Sequence, residues 1–192
     1  MFIHRIVTLF SALRPAVVQA HCDTADGPAV TSGRKALATG NINHALIWIP
    51  ADGEAELRAV FEKTLKVRTL GADAAELADQ LFLETLVRIH RMGEGVGFTG
   101  IQPIGGPVDP VVTAADEAIA QGSDAHLLQM VPEDRRAGLD GRFHAALAVK
   151  DFDADDVVAG RRYLAAYVDF FKYAEGEDHN HAGHGHSHEH AH

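Results

Sequence analysis

The chain has 192 residues, with 27 acidic and 17 basic side chains and a formal net charge of −10. Its length suits one domain with a core and tails. Its charge argues against nucleic acid or an anionic membrane as the main partner, since either requires a basic face to displace counterions. The single cysteine excludes an internal disulfide, which leaves a buried bystander, an intermolecular partner or a working thiol.

The first twenty residues, MFIHRIVTLFSALRPAVVQA, place Arg5 ahead of an apolar run from Ile6 to Leu13 and end in VQA. A basic start, an apolar centre and small residues at the end are the layout of a secretory signal peptide. The expectation is cleavage after Ala20 and a periplasmic or secreted protein that begins at His21. Arg14 and Pro15 interrupt the apolar stretch, so an uncleaved N-terminal helix is the alternative. No later segment approaches the ~20 apolar residues of a membrane span, so no stable membrane anchor is expected.

Residues 21–174 read as an all-α domain, a helical bundle. Pro28 to Thr39 opens on proline, whose fixed φ and missing N–H suit a first helical turn. Ile42 to Ile49 is helical too, although HALIWI at 44–49 also fits a short strand. From Glu54 to Thr69, the residues Leu57, Val60, Phe61 and Leu65 share one helix face.

The next stretch, ADAAELADQLFLETLVRIHRMGEG, predicts a helix of about twenty residues with Asp73 as its cap and Gly93 as its stop. On it Glu84 and Arg88 have the i,i+4 spacing of an ion pair. His90 falls on the apolar side between Leu83 and Leu86, the place of a core histidine. If the N-terminus packs there, it is also a partner behind a metal's ligands.

Residues 93–107, GEGVGFTGIQPIGGP, form a glycine-rich loop, either a helix connector or a lid. Gly95, Gly97 and Gly100 match GxGxxG, but a dinucleotide fingerprint follows a strand and opens a helix, and here a helix precedes and Pro103 follows. Pro110 to Gln121, Pro132 to Lys150 and Ala154 to Lys172 complete the bundle, the last burying Val157, Leu164, Val168 and Phe171.

The tail, residues 175–192, alternates small or acidic residues with His179, His181, His184, His186, His188, His190 and His192. It has too little apolar surface to pack and is expected to be disordered without metal. Imidazoles are common ligands of nickel, copper and zinc, and the interrupted pattern differs from the unbroken run of a purification tag. Buffering or delivery is the expected role, because a disordered segment does not hold fixed catalytic geometry.

Cleavage before His21 gives the other end that geometry. The α-amine, with a pKa near 8, joins the imidazole of His21 and the amide nitrogen and thiolate of Cys22 within two residues. Nitrogen-rich square planes suit Ni(II) and Cu(II), and thiolate is a soft donor.

HCDTADGP resembles the hook of nickel-dependent superoxide dismutase, a helical-bundle oligomer whose mature chain begins His-Cys-Asp and keeps a glycine shortly after. The resemblance implies that His21 supplies amine and axial imidazole, that Cys22 supplies amidate and thiolate, and that Asp23 fixes the hook. It also implies superoxide as substrate and a homo-oligomer.

That family has a second ligand cysteine four residues after the first, where this chain has Asp26. A carboxylate is harder than a thiolate, so the site is less committed to nickel and more open to copper, or leaves a position to water. Superoxide is an anion, and Arg34 and Lys35 are the candidates for a locally positive approach.

A periplasmic metal-binding or delivery protein without turnover is the alternative reading. A copper oxygenase with an N-terminal histidine brace is disfavoured, because Cys22 would be oxidised beside activated oxygen. Over more of its length, through HCDTADGP, ALIWI, FEKTL and ETLVRIHRMGEG, the chain resembles a family of small exported bacterial proteins of unassigned function.

Overall fold

The computed structural model describes residues 23–104 and 109–176. The expected signal peptide, His21, Cys22 and the tail histidines His179 to His192 lie outside the described residues. The described chain is an all-α bundle: α1 (Pro28–Thr39), α2 (Asn43–Leu46), α3 (Glu54–Val67), α4 (Ala72–Gly93), α5 (Pro110–Gln121), α6 (Leu127–Met130), α7 (Glu133–Ala148) and α8 (Val157–Ala174). Among the described residues there is no strand, only one isolated parallel bridge between Thr24 and Gln102. HALIWI is a helical turn and its exit, not a strand.

The eight helices are two copies of one four-helix unit. α1 and α5 each run twelve residues from a proline and end at a left-handed glycine, Gly40 at φ 70° and Gly122 at φ 71°. At a constant offset the sequence repeats Pro28 in Pro110, Thr31 in Thr113, His44 in His126, Pro50 in Pro132 and Phe61 in Phe143. The register is that of the core: Val30 and Val112, Leu57 and Leu139, Phe61 and Phe143, Phe82 and Leu164, Ile89 and Phe171 are all buried pairs of equivalents. Within each copy the first and third helices pack on the fourth or its hairpin partner, α1 and α3 on α4, α5 and α7 on α8, and α2 joins the halves by touching α8.

Several side chains differ from their sequence expectation. Asp73 does not cap α4. Gly71, at φ 144°, occupies the cap position without a side-chain bond, leaving Asp73 in the first turn where its charge favours the helix dipole. Arg88 reaches across to Glu56 rather than back to Glu84, and Glu84 accepts from Gln80 at 2.9 Å. The cross-helix carboxylate wins because α3 brings it alongside. On α8 the buried face is Leu164, Tyr167, Phe170, Phe171 and Ala174, and Val157 and Val168 are only half-buried. The helix starts three residues later than expected, on the Asp156 cap that accepts from Ala159 N at 2.9 Å.

Two close approaches set the end of α4 in place. A Cβ on Gly33 would fall 2.6 Å from Leu83 Cδ2, so only glycine lets α1 lie against α4. A Cβ on Gly53 would fall 2.3 Å from Ile89 Cγ2, one residue from His90. The corner between α2 and α3 is tied by Arg161 of α8, which donates to Leu46 O at 3.1 Å, Ile49 O at 3.2 Å and Glu54 Oε1 at 2.7 Å.

The hydrogen bond from Arg161, helped by Arg58, holds the Glu54 carboxyl below its ordinary 4.5. A depressed carboxyl contributes stability above its unfolded value and loses it as pH falls through the folded one. Thermal unfolding followed by circular dichroism should therefore show the wild type losing stability below pH 4.5 partly through this group. Glu54→Gln should cost about 1 kcal/mol at neutral pH, as for a part-exposed pair, and should shallow that acid slope. An unchanged slope would separate Glu54 from the acid transition.

Candidate functional site

The chain enters the bundle at Asp23. A β-turn follows, with Gly27 N donating to Thr24 O at 2.8 Å, and the prolyl start of α1 comes next. Residues 23–25 pair with the glycine-rich loop: Gln102 N donates to Asp23 O at 3.0 Å and Ala25 N donates to Gln102 O at 2.8 Å. Phe98 and Ile101 pack that loop on the core. It is thus a connector that also pairs with the incoming chain. Gly95 and Gly100 take φ of 74° and 90° there, a need for glycine unrelated to phosphate binding.

Asp23 is 4% exposed, and its Oδ2 sits 3.0 Å from Arg91 Nε, itself buried at the end of α4. Burial pushes the Asp23 carboxyl up from 3.8 to about 6, against the pull of Arg91 and His90, and Glu94 adds to the rise. Among the described residues its Oδ1 has no hydrogen-bond partner. Asp26 is exposed, and its backbone carbonyl accepts weakly from Thr31 Oγ1 at 3.4 Å. Arg34 donates to Ala25 O, and Lys35 is exposed one residue further.

His90 lies one residue before Arg91, 8% exposed. Its Nδ1 is 2.8 Å from Trp48 O. A carbonyl only accepts, so Nδ1 carries a hydrogen. Among the described residues the buried Nε2 has no hydrogen-bond partner, and Glu94 Oε1 stands 3.6 Å away, within ion-pair distance. Glu94 also lies 3.9 Å from Arg91 Nη1.

The structure therefore brings Asp23, His90, Arg91 and Glu94 into one cluster where the chain emerges from His21 and Cys22. Asp26 stands apart from it. His144 is exposed beside Asp140 at 3.5 Å, and His44 is half-buried, desolvation lowering its pKa.

Arg91 and Glu94 were not distinguished by helical periodicity. The signal that marks them is the difference between the two repeats, because His90, Arg91 and Glu94 stand where the second copy has Lys172, Tyr173 and Gly176. Among the described residues no group of three or more His, Cys, Asp and Glu is placed to hold a metal ion. In the same range no helix is long and apolar enough to cross a membrane.

Fold and site together define a duplicated four-helix protein with its incoming chain clamped beside a buried histidine. The chain belongs to a family of unknown function, DUF6448, which matches residues 26–173. No curated protein and no solved structure matches it.

Proposed function

We propose that this is an exported metalloprotein that holds nickel or copper at a mature N-terminus beginning with His21 and Cys22, and that its reaction is superoxide dismutation. The observation that supports this most directly is the clamp on Asp23. Chain ends fray unless tied down, yet the residue joined to Cys22 is buried in an ion pair with Arg91 and paired through its backbone to Gln102. A metal bound before Asp23 would thereby have one fixed position on the bundle, as catalysis requires.

The residues fit such a group. The terminal amine, imidazole, amide and thiolate form a mixed nitrogen and sulfur donor set, and among the described residues His90 Nε2 and Asp23 Oδ1 are buried without a hydrogen-bond partner. The chemistry supplied by the bound metal is one-electron exchange: one superoxide leaves as O2, and a second, with two protons, leaves as hydrogen peroxide. Asp23 holds the terminal dipeptide against α4, and Lys35 with Arg34 offsets the acidic surface for an anionic substrate.

The second reading, binding and delivery without turnover, is favoured by the tail sequence, where His179 to His192 supply a run of imidazoles suited to nickel, copper or zinc.

Pulse radiolysis of the mature chain loaded with one equivalent of nickel or copper tests the assignment. Superoxide decay should accelerate, and Cys22→Ser should abolish the acceleration. Stoichiometric metal without any acceleration leaves delivery as the function. Intact mass of the exported protein should show His21 as residue one.

A further inference from the structure

We infer that the chain assembles head to tail with a second copy of itself, an exposed face of the first four-helix unit receiving the α6–α7 corner of the second unit of another chain. The inference does not rest on the N-terminal metal reading. It comes from the duplication, because the contact that joins the two units inside the chain has its equivalents on two surfaces that stand exposed.

Inside the chain the α2–α3 corner of the first unit sits on α8 of the second. Arg161 donates to Glu54 Oε1 at 2.7 Å and to the corner carbonyls of Leu46 and Ile49. Asp155 Oδ1 accepts from Asn41 at 2.8 Å and from Asn43 at 3.1 Å. Trp48 lines a cavity together with Tyr163 and Leu164, and Tyr163 rests on Phe152 with ring centroids 5.7 Å apart. By the offset that takes Pro28 to Pro110, the receiving face becomes Leu70, Asp73, Asp79 and Leu81 of the first unit. The corner becomes Ser123, Met130 and Arg136 of the second.

Three observations make these two surfaces partners. The first is apolar exposure. Leu70 and Leu81 are 77% and 54% exposed, with Leu77 exposed on the same helix as Leu81, whereas their equivalents Phe152 and Tyr163 are half-buried under the contact. Clustered bare leucines mark an interaction surface, and Met130, in the place of Trp48, is an exposed apolar group on the corner.

The second is charge. The covered contact pairs Arg161 with Glu54, and the equivalent positions hold Asp79 and Arg136. Both signs are reversed together, so the surfaces remain complementary, where a change at one position alone would set like charges against each other. Asp79 is held in place by Arg68, whose Nε lies 2.9 Å from its Oδ1, and Arg136 is exposed.

The third is the acceptor beside them. Asp73 stands exposed where Asp155 accepts its two bonds, and Ser123 keeps a donor in the place of Asn41. A contact between unlike surfaces that leaves its own two ends exposed is open, and further copies continue it into a ring or a filament.

Sedimentation velocity of the mature chain tests this, with reductant and a chelator present so that neither Cys22 nor a metal links chains. The wild type should associate as its concentration rises. Asp79→Arg and Arg136→Glu should each weaken that association at least about a hundredfold, because each sets like charges together across the contact. An equimolar mixture of the two variants should associate again, since one chain keeps the native face and the other keeps the native corner. Circular dichroism checks that each variant folds. Should Asp79→Arg unfold on releasing Arg68, Leu81→Lys replaces it in the mixture with the same expectation. A wild type that stays monomeric at every concentration overturns the inference, whether the face is bare or covered by residues of the same chain. Association that survives both reversals overturns it too, by placing the contact on another surface, and so does a mixture that stays apart.

Discussion

Arg91→Ala lowers the unfolding free energy of the metal-free chain by about 3 kcal/mol at neutral pH, the scale for removing one partner of a buried ion pair. The loss arises less from the missing attraction than from Asp23, left at 4% exposure with a carboxylate and no counterion. The side chain has an escape, since its pKa is already raised to about 6. Without Arg91 it rises further, and the group takes up a proton instead of staying charged.

The escape gives the prediction a pH signature. In the wild type near pH 5 the Asp23 carboxyl is mostly protonated and its attraction to Arg91 is weak. Near pH 8 it is ionised and paired. The native state holds this proton more tightly than the unfolded chain, so its contribution to stability falls as pH rises through about 6. The deficit of Arg91→Ala is therefore larger near pH 8 than near pH 5.

Denaturant unfolding at both values checks this, and equal deficits would remove the Asp23 pair as its cause. Asp23→Asn with Arg91→Met should recover much of the stability, as apolar or neutral replacement of buried pairs does. It should not recover metal affinity, which falls about tenfold to a hundredfold when groups orienting a site are lost.

Helix positions follow from local signals. Prolines at 28 and 110 and the left-handed glycines at 40 and 122 delimit α1 and α5 at the residues expected, because first turns tolerate a missing N–H and last turns favour glycine. The partner of Arg88 did not follow, since Glu56 comes from another helix and no i,i+4 rule sees across helices. The same holds for the site. Burial of His90 is legible in its helical phase, but its tautomer depends on Trp48 O, brought from the α2–α3 corner by tertiary packing.

The duplication is legible in the sequence once whole segments are compared rather than single helices scored. It changes what the residues mean. A polar cluster in one copy facing Lys172, Tyr173 and Gly176 in the other is a departure from a shared scaffold. The repeat explains the core, and the departures mark where the two copies differ in the groups they carry.

Adding one residue before His21 of the mature chain should weaken the N-terminal metal site by about a hundredfold, the upper scale for altered groups around a metal. The change leaves every side chain in place. It converts a primary amine with a pKa near 8 into an amide, whose nitrogen yields its proton far less readily and whose lone pair is delocalised. It also moves the imidazole of His21 off the terminal chelate ring. Because Asp23 stays clamped on Arg91 and Gln102, the extended chain should melt at the same temperature as the parent.

Competition against a chelator of known affinity measures the change. An extended chain with unweakened affinity would show that the amine is not a ligand and that peptidase cleavage has no part in building the site. A weakened one, with the melting temperature unchanged, would show that the terminal amine belongs to the ligand set and that cutting before His21, not folding alone, builds the site.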